Sequence, residues 1–197
     1  MYRNEQVENY VARRIYTLEA MKDPGSQKAA YAQLRRGVGS RPGDIPQMWG
    51  ILFRDLPEDM MSADGDPSPE EWAISTALTM YAFHQQSHDP AQESMNRKGW
   101  GIGKALAELM TGDEDETRVQ RRFNCFATAS DMAEAVTHLR GIVGLLKNKA
   151  IGLDYAKLAG ELYDFQDYEG AKRVRLIWGQ DFYMNMQREN KEETEHE

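Results

Sequence analysis

Apolar residues recur at spacings of three and four along almost the whole chain, the signature of helices with one buried face. Val7, Val11, Ile15 and Leu18 set the phase of a first helix, and Lys22-Asp23-Pro24-Gly25-Ser26 stops it. Residues 26–36 read as a second helix, closed by Gly37 and Gly39. A short third helix starts at Ile45-Pro46 and runs to about Leu56. Ser68-Pro69-Glu70-Glu71 is a strong helix start: a serine cap, proline at the first position, and a glutamate placed to return a hydrogen bond. That helix runs to about Gln86, and another spans Gly103 to Met110.

Gly112 and the run Asp113-Glu114-Asp115-Glu116 then divide the chain. Beyond them, residues 117–128 put Val119, Phe123 and Phe126 on one face, and Arg118, Arg121 and Arg122 on the other. Ser130-Asp131 with Glu134 opens the next helix, whose seam is Met132, Val136, Leu139, Val143 and Leu146. Asp154 caps a helix carrying Leu158, Leu162 and Phe165. The last runs from about Tyr168 to Gln187, with Val174, Ile177, Trp178 and Phe182 inward. No alternating strand pattern bounded by hairpin turns occurs. The expected fold is all-α: a helical N-terminal domain over 1–112, an antiparallel four-helix bundle over 113–188, and an acidic, disordered tail over 189–197.

Composition refines this picture. A length of 197 residues allows a sizeable core. Mean hydropathy is -0.71, and no apolar run is long enough to cross a membrane. The N-terminal residues lack the apolar run of a signal peptide, and the single Cys125 can form no internal disulfide. A reducing cytoplasm is the expected setting. The net charge of -8 opposes a simple DNA-binding role, but its distribution does not. Residues 118–188 hold 11 basic and 8 acidic residues, whereas 1–117 hold 12 and 19. Blocks of acid at 55–71, 113–116 and the tail are solvated segments, so the cations of the second half act locally.

Catalytic chemistry finds little support. His84 and His88 have the spacing of zinc ligands on a helix, but Glu does not follow His84, no third ligand is near, and Pro90 ends the helix. A helix-end polar cluster is the better reading, with Gln85 and Gln86 as lesser candidates for phosphate or base contact. Gly99-Trp100-Gly101-Ile102-Gly103-Lys104 suggests a phosphate loop, yet Lys98 stands where the first glycine belongs, and Ala105 follows the lysine. Two readings remain: a helix start that receives a phosphate, helped by Lys98 and Lys104, or a tight loop packed on Trp100. Cys125, beside Phe126 with no histidine near in sequence, reads as a buried apolar residue. Ser87-His88-Asp89 are adjacent in sequence, which is not triad geometry. No metal or cofactor is expected.

What remains is a set of basic residues beside glycines or apolar helical runs: Arg35, Arg36, Lys104, Arg121, Arg122 and Arg140, with Lys147 seven residues beyond Arg140 on the same face. Lys172, Arg173 and Arg175 crowd the start of the last helix, and Arg173 and Arg175 cannot share a face. Cations on rigid helices without a nucleophile, base or metal cage point to a surface that holds a polyanion.

Six segments in order carry a resemblance: Ala32-Gln33-Leu34-Arg35-Arg36-Gly37, Tyr81-Ala82-Phe83-His84-Gln85-Gln86-Ser87, Gly101-Ile102-Gly103-Lys104-Ala105-Leu106, Arg121-Arg122-Phe123-Asn124, His138-Leu139-Arg140 and Trp178-Gly179-Gln180-Asp181-Phe182-Tyr183. Over roughly residues 10–185 the chain resembles the CasB family, the small subunit of the type I-E CRISPR Cascade surveillance complex. The resemblance implies two helical domains and no catalytic activity, cutting being left to a separate nuclease-helicase. It implies two copies lying head to tail beside the RNA-bound backbone subunits, with the large subunit also a partner. It implies sequence-independent contact with guide RNA, target DNA and the displaced single strand, holding the R-loop open. Arg35, Arg36, Lys104, Arg121, Arg122 and Arg140 carry over by motif; Lys98, Arg118 and Arg173 follow by proximity. The acidic 55–71 segment and tail lie outside the resemblance and oppose stand-alone binding. Because the aromatics fall mostly on inward faces, base stacking is not the expected main mode. The rival reading is a helical protein–protein adaptor whose arginines balance neighbouring acids; an enzyme is a distant third.

Overall fold

The computed structural model describes residues 1–110 and 113–195, with side chains described at all of these except 113–115 and 187–195. It is all-α: α1 (Arg3–Glu19), α2 (Pro24–Arg36), α3 (Trp49–Leu52, entered through a 3-10 turn at Pro46–Met48), α4 (Pro69–His84), α5 (Ile102–Ala107), α6 (Asp113–Ala127), α7 (Met132–Asn148), α8 (Tyr155–Phe165) and α9 (Tyr168–Glu195). Among the described residues the only β-type pairing is a single bridge between Asn96 and Leu153. No helix is long and apolar enough to cross a membrane.

The helix starts follow from their caps. Ser68 Oγ accepts from Glu71 N at 3.0 Å, and Glu71 Oε2 accepts from Ser68 N at 2.8 Å. Asp131 Oδ1 accepts from Glu134 N at 2.9 Å, and Asp154 Oδ1 from Lys157 N at 3.0 Å. These bonds satisfy donors that the first turn leaves unpaired.

Several expectations change. The acidic run expected as a divider is helical from Asp113, as acidic residue types favour at the positive end of a helix dipole; Gly112 lies outside the described residues. The helix expected over 103–110 is shorter, Ile102–Ala107. Ile177, expected inward, is 42% exposed. The core stripe of α9 is Ala171, Val174, Trp178 and Phe182, and Ile177 sits about 100° out of that phase. The α9 backbone also continues to Glu195, past the expected stop at Gln187, and residues 196–197 of the acidic tail lie outside the described residues.

One buried apolar cluster runs from Val7 to Phe182 through both halves. α6 pairs with α7, but α8 packs on α1 and α4 as well as α9, and α9 packs on α5. The helices of the second half are therefore shared with the first rather than closed on themselves. Gly103 shows why two of the quoted segments belong together. A Cβ there would lie 2.4 Å from the Trp178 carbonyl oxygen and 2.7 Å from Phe182 N, so α5 seats directly on the α9 backbone.

Candidate functional site

The second half presents a groove between α6 and α7, with a volume near 620 Å³, lined by Thr117, Arg118, Arg121, Arg122, Cys125, Thr137 and His138. Phe123 and Phe126 pin α6 to the core, where Phe126 stacks on Trp178 at 4.7 Å between ring centroids. That anchoring turns Arg121 and Arg122 outward, and both are exposed. Across the groove, Leu139, Ile142, Val143 and Leu146 bury the inner face of α7. Helical geometry then centres Thr137, Gly141, Gly144 and Asn148 on its outer face. Arg140 and Lys147 line one edge of that face, His138 and Lys149 the other.

The floor is open. Nothing lies within 4 Å of where a Cβ on Gly144 would stand, and the Arg122 Nη1 occupies the space above Gly141, 2.6 Å from its Cβ position. Among the described residues Arg121, Arg122 and Arg140 have no carboxylate partner. Arg118 shares the groove but does have an interaction of its own. The result is a strip of uncompensated positive charge over a backbone that a polyanion can approach closely.

A second group of cations adjoins this strip through Lys147. Its ammonium donates to Gln86 Oε1 at 2.8 Å and lies 4.9 Å from the Phe83 ring centroid. Burial, with the nearby Arg35 adding to it, lowers the Lys147 pKa below its ordinary value. Arg35, in the last turn of α2, is thus brought to the end of α7 from the far side of the sequence, whereas Arg36, next to it in α2, is exposed. Sequence reading had no signal for this meeting beyond the Arg140–Lys147 spacing.

The third group surrounds Trp100. Lys104 Nζ and the Arg97 guanidinium each lie 3.3 Å from the ring centroid. The indole N–H donates to Glu108 Oε2 at 2.7 Å, and that carboxylate also faces Arg97 at 3.6 Å. Lys98 is exposed beside them. Gly101 to Gly103 are buried, and a Cβ on Gly101 would meet Lys157 Nζ at 2.8 Å. This segment is the tight loop packed on Trp100; its buried glycines are not open to a phosphate.

Arg173 is exposed but is not brought to the groove. It shares the outer face of α9 with Leu176, Ile177, Tyr183 and Met184, which are 62%, 42%, 50% and 52% exposed. Arg175 is structural: its Nε donates to the Ala127 carbonyl at 2.5 Å, and its guanidinium lies 5.3 Å from the Phe165 ring centroid.

The remaining polar candidates are held internally. His84 is fully buried, with Nδ1 bonded to the Tyr155 hydroxyl at 2.8 Å, and burial pushes its pKa down to about 4. Because α4 ends at His84, His88 leaves the shared face and instead meets Glu93 at 2.8 Å. Among the described residues no His, Cys, Asp or Glu cluster fit to hold a metal occurs. Gln85 is clamped in the loop by the His88 and Glu93 carbonyls and by Met95 N. Cys125, expected to be buried, is half-exposed, and the fold brings it to one groove with His138.

Comparison with known proteins adds to this geometry. The family model for CRISPR-associated protein Cse2 matches residues 30–183. Among solved structures the fold is similar to CasB from Thermobifida fusca, at 34% identity and a TM-score of 0.72, covering 89% of this chain and 97% of that one. CasB from Thermus thermophilus is similar at 23% identity and 0.65, covering 93% and 99%. A chain of a CRISPR RNA-guided surveillance complex is similar at 18% identity and 0.71, covering 96% and 98%. No curated protein matches the sequence.

Proposed function

The chain belongs to the Cse2 (CasB) family of CRISPR-associated proteins, and on that premise we propose that it is the non-catalytic small subunit of a type I-E Cascade complex. In this reading it binds nucleic acid without sequence preference and stabilises the R-loop formed by guide RNA, target DNA and the displaced single strand. The backbone and large subunits and a second copy of the chain are its protein partners. The observation that carries the reading is the α6–α7 strip, where Arg121, Arg122 and Arg140 flank an open glycine floor with no carboxylate partner among the described residues. Arg35 and Lys147 extend it at one end, with Arg36 beside Arg35 on α2; Lys98 and Lys104 form a separate group at Trp100. Arg118 contributes from the groove wall, and Arg173 is the weakest member because α9 turns it elsewhere.

The chemistry is electrostatic. Each phosphate neutralised by a lysine or arginine releases counterions, so affinity falls steeply with salt. R-loop formation is a near-balanced exchange of one duplex for another, and a few such contacts tip it. Phosphates look alike at every base step, so contacts of this kind carry no sequence information.

The test is R-loop stability of the reconstituted complex across a salt series, wild type against Arg121→Ala/Arg122→Ala/Arg140→Ala. Normal assembly, a weaker R-loop and a log–log salt slope reduced by about two units are expected, at roughly 0.7 per single-strand phosphate contact. An unchanged slope and stability would return the chain to the adaptor reading. One observation favours protein docking as an additional role: the exposed apolar face of α9 formed by Leu176, Ile177, Tyr183 and Met184.

A further inference from the structure

Trp100 differs from every other tryptophan in the chain by carrying two cations on its ring. Trp178 is buried, with its N–H on Glu161, and Trp49 donates to the Gly43 carbonyl at a turn. The Trp100 ring is half-buried, and its backbone sits in a rigid seat. Asp154 N donates to the Trp100 carbonyl at 2.8 Å, Arg97 N to the Leu153 carbonyl at 3.1 Å, and Gly99 N to Asp154 Oδ2 at 2.7 Å. The indole edge is fixed by Glu108. The ring plane is therefore pre-set, as a stacking platform requires.

Charge around the platform is out of balance. Arg97 and Lys104 lie on the ring, Lys98 is exposed two residues before it, and two carboxylates adjoin the group, Glu108 facing Arg97 and Asp154 on the Gly99 N–H. Arg97 is tied to Glu108. Among the described residues Lys104 has only the ring.

We propose that Trp100 is a base-stacking site for single-stranded nucleic acid, occupied by the Lys104 ammonium until a strand arrives. An unpaired base takes the ring face that Lys104 covers, and the released ammonium moves to the phosphate next to that base. Both halves of the exchange favour it. A base on an aromatic face is held more strongly than an exposed cation there, and the lysine trades the ring for a full negative charge. The proposal rests on the nucleic-acid reading above but adds something that phosphate contacts lack, a preference for strands that have bases. The ligand class is an unpaired, sequence-unspecified nucleobase, such as those of a displaced strand.

The experiment compares the full chain binding an oligothymidylate of about twenty nucleotides with an abasic oligomer of equal phosphate count, by fluorescence anisotropy at low salt. Wild type is expected to favour the oligothymidylate by about tenfold. Trp100→Leu should bind the two equally, with the wild-type salt slope, and Trp100→Phe should regain part of the preference. Lys104→Met should keep the preference while its salt slope falls by roughly 0.7. Equal wild-type affinity for both oligomers overturns the stacking site and leaves the phosphate reading intact. So does a preference that survives Trp100→Leu, or a Trp100→Leu variant that loses salt slope along with affinity. No binding to either oligomer overturns the stacking site, while the nucleic-acid reading stands or falls separately on the R-loop salt series of the assembled complex.

Discussion

Lys147 and Lys157 are both half-buried lysines beside a well-packed helix, and the protein treats them in opposite ways. Lys157 lies between Asp181 at 3.3 Å and Glu161 at 3.7 Å. Burial alone would depress its proton affinity, yet these carboxylates raise it above its ordinary value. Lys147 has a neutral amide, an aromatic ring and an arginine for neighbours, and its pKa falls. At the junction of α1, α5, α8 and α9 the chain neutralises its cation to hold the halves together. On the outer face of α7 it leaves the cation without a carboxylate among the described residues, as the proposed phosphate-binding role requires.

The most severe way to break the junction is steric. Gly103→Ala would press a methyl into two backbone atoms of α9 that no rotamer change can move. We expect about 2–4 kcal/mol of destabilisation in denaturant unfolding and loss of assembly with it.

Titration of the same junction gives a smaller effect. Burial pushes the Glu161 carboxyl up to about 7, although the bond from Trp178 and the pull of Lys157 oppose this. Its folded pKa is above the unfolded one, so its contribution is complete below about pH 4.5 and is lost as pH rises through 7. His84 runs the other way, its contribution being lost as pH falls from about 6.5 through 4. From pH 6 to 8 Glu161 loses about 1.3 kcal/mol of its contribution, while His84, whose unfolded state ionises near 6.5, regains about 0.8 kcal/mol. Wild type should therefore fall by about 1.3 kcal/mol relative to Glu161→Gln across that window. A difference between the two that stays constant would assign the slope to other groups.

The smallest change sharpens the contrast most. Lys157→Met should cost about 1–2 kcal/mol, a value kept low because the lysine is partly solvated, and should lower the melting temperature by roughly 2–8 °C. Lys147→Met should move stability by less than about 0.5 kcal/mol while reducing the R-loop salt slope by roughly 0.7. If both variants behaved alike in both assays, the division between a structural and a binding lysine would fail.

How far the sequence could foretell this depends on the range of the interaction. Caps at Ser68, Asp131 and Asp154 are local, and each was legible because donor and acceptor lie within one turn. So was the outward turn of Arg121 and Arg122, opposite Val119, Phe123 and Phe126. Ile177 misled because the periodicity of a long amphipathic helix leaves its flank ambiguous until a partner chooses the buried stripe. The glycines at 101–103 misled for a deeper reason. A glycine needed for close backbone approach looks the same whether the approaching group is a phosphate or the α9 main chain. The neighbours of Lys147 were invisible, since Arg35 and Gln86 reach it only through tertiary packing of α2, α4 and α7.

The sharing of α8 and α9 between the halves also bears on how the chain is made. α4 is buried on nearly every side, from Ala73 to Ala82, and its partners include α7 and α8. A ribosome delivers α8 some eighty residues after α4, an interval on the order of 5–15 seconds at ordinary elongation speeds. Until then the most apolar helix of the nascent polypeptide has α1, α2 and α3 to rest on, and the face that later meets α7 and α8 is the part of the growing chain most open to mispairing.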